Sequence, residues 1–255
     1  MPTPPHLDKH DLYERCVTDG PRLARFLRAV HGRNRAILRE DFSGSAALAR
    51  AWAASGSPAI AVDIDPLVLT RAQAPGVKVV VSDAARCRLR ADIIAATNFP
   101  LGYFHTRTSL VAYLKTARRS LSPRGIFAAD LYGGADSFRP LKITQKCRGP
   151  AGERITYTWE QRHADPVTGL VLDTLSFSVT AGSRTRKLPD AFVYRWRLWS
   201  IPELKDALAD AGFRSADVYS RLGDAIDADG NLYVLPLGND HDLDDNYVVY
   251  IVARR

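Results

Sequence analysis

The fold is decided by LREDFSGSAAL, which occupies residues 38–48, and by IAVDIDP, which occupies residues 60–66. The first run predicts a buried strand, a turn of small residues and the start of a helix, and the second predicts a strand that ends in an acid. An α/β sheet builds one half of a nucleotide site in this way. Small residues in the turn let the backbone approach a ligand, and the acid can accept hydrogen bonds from two ribose hydroxyls.

Strands and helices alternate through the first half of the chain. An opening helix is predicted over Leu12–Ala29, and further helices over Ala46–Ala54, after Asp65-Pro66 and over Thr108–Leu121. Strands are predicted at Arg35–Glu40, Ala59–Asp63, Val77–Val81, Asp92–Ala96 and Gly125–Tyr132, with closing strands at Ala216–Ser220 and Tyr247–Ala253. This order predicts an α/β fold whose doubly wound, mostly parallel sheet has seven strands.

The pattern changes after the fifth strand. Three segments with alternating apolar residues, at Ile155–Arg162, Leu170–Thr180 and Ala191–Trp199, predict a small antiparallel sheet inserted at this point. Ser200 and Glu203 then form a capping box that opens another helix. We therefore divide the chain into an N-terminal helical segment (1–34), a core (35–137 and 200–255) and an inserted lid (138–199).

Composition leaves several classes of partner open. The chain has 255 residues, 46% of them hydrophobic, and a net charge of +7, which permits binding to nucleic acid or to an acidic ligand. The basic residues are spread along the sequence, however, so nucleic acid is the less favoured partner. Cys16, Cys87 and Cys147 lack CxxC spacing, which predicts reduced thiols in a cytoplasmic protein. No run is apolar for long enough to predict a membrane span.

Six motifs in order resemble those of class I S-adenosylmethionine-dependent methyltransferases, over about residues 35–255. They are Leu38–Ala47 (the ligand-cradling first motif), Asp63 (the ribose acid), Ser82-Asp83-Ala84 (the adenine loop), Asp92–Phe99 (the fourth motif), residues 120–127 (the hairpin into the fifth strand) and Glu203-Leu204 with residues 211–213. The resemblance implies a Rossmann-like fold with S-adenosylmethionine as cofactor.

The first motif departs from the family's D-x-G-x-G-x-G pattern. The aligned residues 40–46 read EDFSGSA, with a single glycine, as in a branch of the family with an REDF.G turn. Phe42 must therefore direct its ring away from the ligand. The alternative is that Glu40 and Asp41 only cap a helix.

The resemblance also implies which residues contact the cofactor. They are Glu40 (methionine amino group), Gly44 (close backbone approach), Asp63 (ribose), Asp83 (adenine amino group), Ile64 and Ala84 (purine faces), Asn98 and Phe99 (end of the fourth strand) and Tyr13 (aromatic lid over the sulfonium). Asn98 holds the methionine moiety or the substrate, or else only closes a turn. The alternative for Tyr13 is that it is a core residue of the first helix.

Aromatic residues suggest where a methyl acceptor binds. Tyr103, Tyr132, Tyr157, Trp159 and Trp196 concentrate near the fourth and fifth strand ends and the inserted sheet, with Arg195 beside them to bind a substrate carboxylate or to face solvent. His105 and Tyr132 are the candidate catalytic residues, with a surface position as the alternative for His105. A general base is needed only when the nucleophile arrives protonated.

A metal site is not predicted. The acids Asp240, Asp242, Asp244 and Asp245, with His241 among them, lack the glycine and distal glutamate of a calcium loop and predict a solvated loop.

These observations predict a methyltransferase that methylates nitrogen or oxygen of a small molecule by in-line displacement. The inserted sheet favours a small acceptor because it narrows access to the methyl group. Two alternatives are an RNA or protein methyltransferase that uses the basic surface, and a non-catalytic protein that binds the cofactor. A homo-oligomer is also left open.

Overall fold

The computed structural model describes residues 7–33, 35–220, 225–226, 232–238 and 243–255. The helices are α1 (Lys9–Val17), α2 (Gly20–His31), α3 (Ala47–Ala54), α4 (Pro66–Leu69), α5 (Arg107–Ser120) and α6 (Ile201–Asp210). The strands are β1 (Leu38–Asp41), β2 (Ala59–Asp63), β3 (Val77–Val81), β4 (Ala91–Ala96), β5 (Leu121–Gly133), β6 (Leu141–Arg148), β7 (Arg154–Ala164), β8 (Leu170–Ala181), β9 (Arg184–Arg197), β10 (Ser215–Tyr219), β11 (Ala225–Ile226), β12 (Leu232–Tyr233) and β13 (Tyr247–Arg254).

Seven strands form the central sheet, in the order β10-β13-β5-β4-β1-β2-β3. β13 runs antiparallel to both of its neighbours, and the other pairings are parallel. The predicted doubly wound, mostly parallel, seven-stranded sheet is therefore confirmed. Because parallel strands end at the same edge, β1, β2, β4 and β5 bring the residues that follow them together.

The core lies on both faces of this sheet. One apolar cluster packs α5 and α6 against it, and a second packs α2 and α3. Every residue of β1 is buried, as expected for a central parallel strand. Trp52 of α3 is fully buried and donates from its indole nitrogen to the Ala36 carbonyl at 2.9 Å, which fixes α3 beside the start of β1.

A separate antiparallel sheet has the order β6-β7-β8-β9 and stands between β5 and α6 in the chain. The prediction of an inserted antiparallel sheet is confirmed, but with four strands instead of three. The missed strand, β6, reads LKITQKCR and is largely exposed. It carries too few apolar residues to show alternation, and its pairing with β7 is what makes it a strand.

The predicted opening helix Leu12–Ala29 is wrong in one respect, because it is two helices. Thr18 is extended, and the Asp19 side chain accepts a hydrogen bond from the Arg22 backbone nitrogen at 3.0 Å to cap α2. A Cβ on Gly20 would stand 2.4 Å from the Ala47 carbonyl oxygen. Glycine at this position therefore lets α2 begin directly against α3.

Cys16 in α1 and Cys147 in β6 form a disulfide across 131 residues, with their Cα atoms 6.0 Å apart. The expectation of reduced thiols is wrong for this pair, because the fold brings together two cysteines whose spacing gives no sign of pairing. Cys87 is a buried free thiol. Among the described residues, the longest helices are too short or too polar to cross a bilayer.

Candidate functional site

The ends of β1, β2 and β4, together with Asp130 within β5, border a cavity of about 450 Å³, here called the cleft cavity. Five carboxyl groups of the described residues lie in its wall, those of Glu40, Asp63 and Asp130 on the strands and those of Asp19 and Asp65 in the loops. The opposite wall comes from α1, through His10, Tyr13 and Val17, and from β9, through Phe192, Tyr194 and Trp196. The cavity therefore lies at the edge of the sheet where nucleotide ligands bind in α/β folds.

The turn after β1 takes the backbone shape of a glycine-rich loop with only one glycine. Phe42, Gly44 and Ala46 have φ angles of 56°, 53° and 59°, all in the left-handed region. These are the three positions where the family pattern has glycine. A non-glycine residue pays about 1–3 kcal/mol for such a conformation, so the surrounding contacts must hold the turn.

Aromatic packing holds Phe42. Its ring makes edge contacts with Tyr113 at 5.6 Å and Phe104 at 6.1 Å, and these rings belong to the core beneath the turn. Phe42 still contributes to the cleft wall, but its ring is committed to this cluster. The side chain therefore does not fill the space beside Gly44, where an added Cβ would meet no atom within 4 Å.

A buried ion pair anchors the strand that leads into the turn. Arg39 and Asp41 are both fully buried and share two contacts, at 2.8 and 2.9 Å. The Tyr113 hydroxyl donates to Asp41 at 2.9 Å, and Arg39 donates to the Leu89 carbonyl at 2.8 Å. These two residues therefore serve the structure, while Glu40, which alternates with them on the strand, lines the cavity.

Glu40 has a partner from the backbone. Its Oε2 accepts a hydrogen bond from the Ala49 nitrogen in the first turn of α3 at 2.7 Å. Part of the alternative interpretation is thus correct, since Glu40 does cap a helix. Burial raises the pKa of Glu40 to about 8, although this hydrogen bond and nearby Arg50 oppose the shift. A cationic ligand group in the cavity would favour the charged carboxylate.

Asp63 ends β2 and faces the cleft cavity. One carboxylate oxygen accepts from the Gly44 nitrogen at 2.8 Å, and the other accepts from the Asp65 nitrogen at 3.0 Å. Asp63 therefore links the β1 turn to the β2 turn. Each oxygen has a further lone pair, which leaves capacity for hydrogen bonds from a diol.

The three residues assigned to adenine stand outside the cavity wall. Ile64 is 72% exposed beside Asp63. Asp83 accepts from the Ala85 nitrogen at 2.9 Å and caps a short 3₁₀ turn, and Ala84 is buried in the core. Ala84 is thus packed away from a ligand, whereas Ile64 offers an open apolar face next to Asp63.

The turn after β4 is a second left-handed segment. Asn98 and Phe99 have φ angles of 69° and 64°. The carboxylate of Asp130 accepts from both of their backbone nitrogens, at 2.9 and 2.8 Å. Asp130 is 5% exposed, and burial raises its pKa to about 6. Asp130 is not among the predicted site residues, although an acid inside the otherwise apolar run 126–132 is a signal for it.

A second cavity of about 320 Å³, here called the aromatic cavity, adjoins the first. Its wall includes Tyr132, Tyr157, Trp159, Tyr194 and Trp196, and it shares Tyr13, Asn98 and Asp130 with the cleft cavity. Tyr194 stacks on Trp196 at 4.2 Å, and Tyr132 meets Trp159 edge-on at 5.7 Å. In the described part of the chain, Asp130 is the only carboxylate in this wall, and no Lys, Arg or His lines it.

The candidate catalytic and carboxylate-binding residues fall in different places. The Tyr132 ring lines the aromatic cavity, but its hydroxyl donates to Asp173 at 2.6 Å, and burial together with that acid raises its pKa far above the usual value. His105 and Arg195 line neither cavity; the His105 ring contacts the Arg195 carbonyl at 2.8 Å at the surface. Tyr103 is half exposed and lines the cleft cavity.

In the part of the chain that is described, no group of three or more His, Cys, Asp or Glu side chains is placed so that it could hold a metal ion. Asp240, His241 and Asp242 lie outside the described residues.

Comparisons with known proteins place the fold. No protein-family model matches the chain, and no curated protein matches its sequence. Solved structures do match. One is an S-adenosylmethionine-dependent methyltransferase from Clostridium acetobutylicum, 14% identical, with a TM-score of 0.71 over 95% of this chain and 96% of that one.

Two further matching structures are of methyltransferases whose substrate class is known. An amino pentose methyltransferase from Micromonospora echinaspora is 15% identical, with a TM-score of 0.67 over 92% of this chain and 90% of that one. A sugar N-methyltransferase from Streptoalloteichus is 14% identical, with a TM-score of 0.69 over 100% and 96%. The protein therefore has the fold of the class I S-adenosylmethionine-dependent methyltransferases over nearly its whole length.

Proposed function

We propose that the protein is an S-adenosylmethionine-dependent methyltransferase that acts on a small molecule, and that the acceptor atom is an amine nitrogen. The observation that carries this proposal is the pair of adjoining cavities, one built from strand-end carboxylates and a left-handed turn, the other from aromatic rings. Structures with the same fold include methyltransferases of amino pentoses and sugars, which agrees with a small acceptor.

The cleft cavity fits the cofactor. Ser43 lines it with a buried hydroxyl that has no hydrogen-bond partner among the described residues, and the space beside Gly44 is open. Glu40 would bind the amino group, Asp63 the ribose hydroxyls, and Ile64 a face of the purine. When bound there, S-adenosylmethionine supplies an electrophilic methyl group on a sulfonium.

The aromatic cavity would hold the acceptor. Ring faces attract cations, and Asp130 adds a buried negative charge between the two cavities. The same wall disfavours an anionic acceptor, because the described residues offer it no cation. We therefore favour an amine over a carboxylate or phosphate, and the exposed Arg195 has no role in this proposal.

Catalysis would rest on alignment. Orientation of two reactants can supply roughly 7–11 kcal/mol of a barrier in favourable cases. Tyr13, Asn98 and Asp130 line both cavities and so would fix the direction from one to the other. Tyr132 keeps its proton next to Asp173, so we assign it to the wall of the acceptor site and not to proton abstraction. The segment 138–199 would act as the lid.

Calorimetric titration with S-adenosylhomocysteine tests the cofactor, and incubation of the protein and S-adenosylmethionine with a panel of primary and secondary amino sugars tests the reaction. We expect saturable binding and a mass gain of one methyl group on an amine. Absence of binding at millimolar ligand would refute the proposal. Binding without turnover of any amine would favour the non-catalytic alternative.

One basic surface cavity that the RNA or protein methyltransferase alternative could use lies away from the site. Arg118, Arg124, Arg214, Arg254 and Arg255 line this cavity. It lies where β13 ends beside the start of β5, at the sheet edge opposite the strand ends that border the cleft cavity. A polyanion bound there would stand far from the transferred methyl group.

A further inference from the structure

The helix α1 closes one side of the cleft cavity. His10, Tyr13 and Val17 line that cavity, and Tyr13 and Val17 line the aromatic cavity as well. A ligand that fills both cavities is therefore covered by this single helix of nine residues. Movement of α1 away from the sheet edge would therefore widen access to both cavities.

On the side of the central sheet, α1 and the preceding Asp8 make ion pairs with two arginines. Arg71 pairs with Asp8 and Asp11, and Arg50 pairs with Glu14. Every one of these side chains is about a third exposed or more. Exposed pairs contribute little, about 0–1 kcal/mol each, and they break and reform rapidly. This side of α1 can open without any chemical change.

On the side of the inserted sheet, α1 is held covalently. The Cys16–Cys147 disulfide joins it to β6, and the Tyr13 ring packs on Phe192 of β9 at 5.2 Å. The disulfide makes α1 and the inserted sheet one unit. In the oxidised chain Cys16 cannot separate from β6. In the reduced chain α1 can move by breaking only non-covalent contacts, among them the packing of Leu12 in one apolar cluster with Ile155, Phe177 and Val179.

The surroundings of the disulfide favour thiol chemistry. Both cysteines are partly exposed, and Cys147 lines a surface cavity together with Arg15 and Arg148. The same wall holds Arg50 and Arg71, which pair with Glu14 and Asp11 there. Guanidinium groups lower the pKa of a nearby thiol and stabilise the thiolate that leaves when a disulfide is attacked. Cys87, in contrast, is buried in the core.

We propose that Cys16 and Cys147 form a thiol–disulfide exchange site that controls the opening of α1 over the two cavities. A thiolate of a cellular dithiol attacks one sulfur, and the S–S bond breaks to release the other cysteine as thiolate. The second thiol of the reductant then displaces the first cysteine. The dithiol is oxidised to a disulfide, and Cys16 and Cys147 take up two electrons and two protons. In the reverse exchange the oxidised dithiol accepts the two electrons and two protons, and the Cys16–Cys147 bond forms again.

This inference rests on the proposed function for its effect on the cofactor, but its structural part is testable alone. Peptide mapping of air-oxidised protein without reductant should find Cys16 linked to Cys147. Hydrogen exchange should then show faster exchange over residues 7–19 after addition of dithiothreitol. The dissociation rate of S-adenosylhomocysteine, from stopped-flow competition, should rise about tenfold, because reduction removes a covalent tether.

Variants supply the controls. The double variant Cys16→Ser/Cys147→Ser should behave as reduced protein and ignore dithiothreitol, whereas Cys87→Ser should respond as the parent does. If the double variant does not fold, the comparison of the unmodified protein with and without dithiothreitol still tests the proposal.

The outcomes separate the two proposals. If S-adenosylhomocysteine does not bind but reduction still speeds exchange over residues 7–19, the proposed function fails and the exchange site stands. If the ligand binds and the two redox states show equal exchange and equal release, the exchange site is refuted. Failure to find the linked peptide would refute it as well.

Discussion

The two cavities contrast in how the chain builds them. The cleft cavity depends on backbone turns after β1, β2 and β4, which carboxylates hold in place: Asp63 binds the Gly44 nitrogen, and Asp130 binds those of Asn98 and Phe99. The aromatic cavity depends on side chains from β5, β7 and β9 that pack on one another. The cleft cavity therefore presents polar atoms in fixed directions, and the aromatic cavity presents ring faces and edges.

This difference teaches where specificity for each ligand would reside. Fixed backbone groups and carboxylates recognise a ligand with a constant set of polar atoms, such as a nucleoside with an amino-acid tail. Ring faces accept many shapes and select mainly by polarity and charge. Asp130 lines both cavities, so a substitution at this residue should change ligand binding in both.

The largest effect is expected from the buried Arg39–Asp41 ion pair, which anchors the strand that leads into the cleft cavity. Asp41→Ala would leave the Arg39 guanidinium buried without a carboxylate and remove the acceptor of the Tyr113 hydroxyl. We expect a loss of about 3–5 kcal/mol in the free energy of unfolding, measured by urea titration. The control is Arg107→Ala in the exposed pair with Asp210, which should cost about 0–1 kcal/mol. Equal losses would contradict a supporting role for the buried pair.

Variants of Asp63 test whether the cleft cavity binds a ribose. Asp63→Ala should weaken S-adenosylhomocysteine binding at least tenfold, about 1.4 kcal/mol, in calorimetric titrations. Asp63→Asn retains an acceptor for the Gly44 nitrogen but loses the charge, so a similar loss would assign the effect to the ribose and not to the turn. Unchanged affinity in both variants would reject the assignment.

Most of the fold could be predicted because its signals are local. β2 and β3 are apolar or β-branched runs, and capping residues mark the starts of α4 and α6. The misses have non-local causes. β6 is a strand because β7 pairs with it, and Cys16 lies beside Cys147 because the inserted sheet packs against α1.

The candidate site divides in the same way. The turn at residues 42–46 and Asp63 follow from motif order, and the structure brings Glu40, Gly44 and Asp63 to one cavity. Whether they bind the cofactor stays a prediction. In the aromatic cavity, strand alternation determines which residues of β9 line the wall. Trp196 and Arg195 are neighbours in β9, so when Trp196 lines the cavities Arg195 must face away. The sequence alone does not say which of the two faces inward.

The aromatic cavity should prefer a cation over a neutral molecule of the same shape. Choline and 3,3-dimethylbutan-1-ol form such a pair, and quenching of tryptophan fluorescence in the presence of S-adenosylhomocysteine would report their binding. We expect choline to bind roughly threefold more tightly or better, as cation–π contacts and Asp130 both favour it. Asp130→Asn should abolish most of the preference. Equal binding of the two probes to the parent protein would argue against an amine acceptor.

Glu40 offers a distinct signature, the dependence of binding on pH. Its pKa of about 8 lies above the value of 4.5 for a carboxyl in the unfolded chain, so folding favours the protonated form, and this contribution to stability is lost progressively as the pH rises from about 4.5 to about 8. A bound ammonium group favours the ionised form instead. Binding of S-adenosylhomocysteine below pH 8 should therefore release protons, and its affinity should rise from pH 6 to pH 8. Titration in two buffers of different ionisation enthalpy measures the release. Glu40→Gln should remove both the proton release and the pH dependence, whereas proton release that persists in this variant would assign the titration to another group.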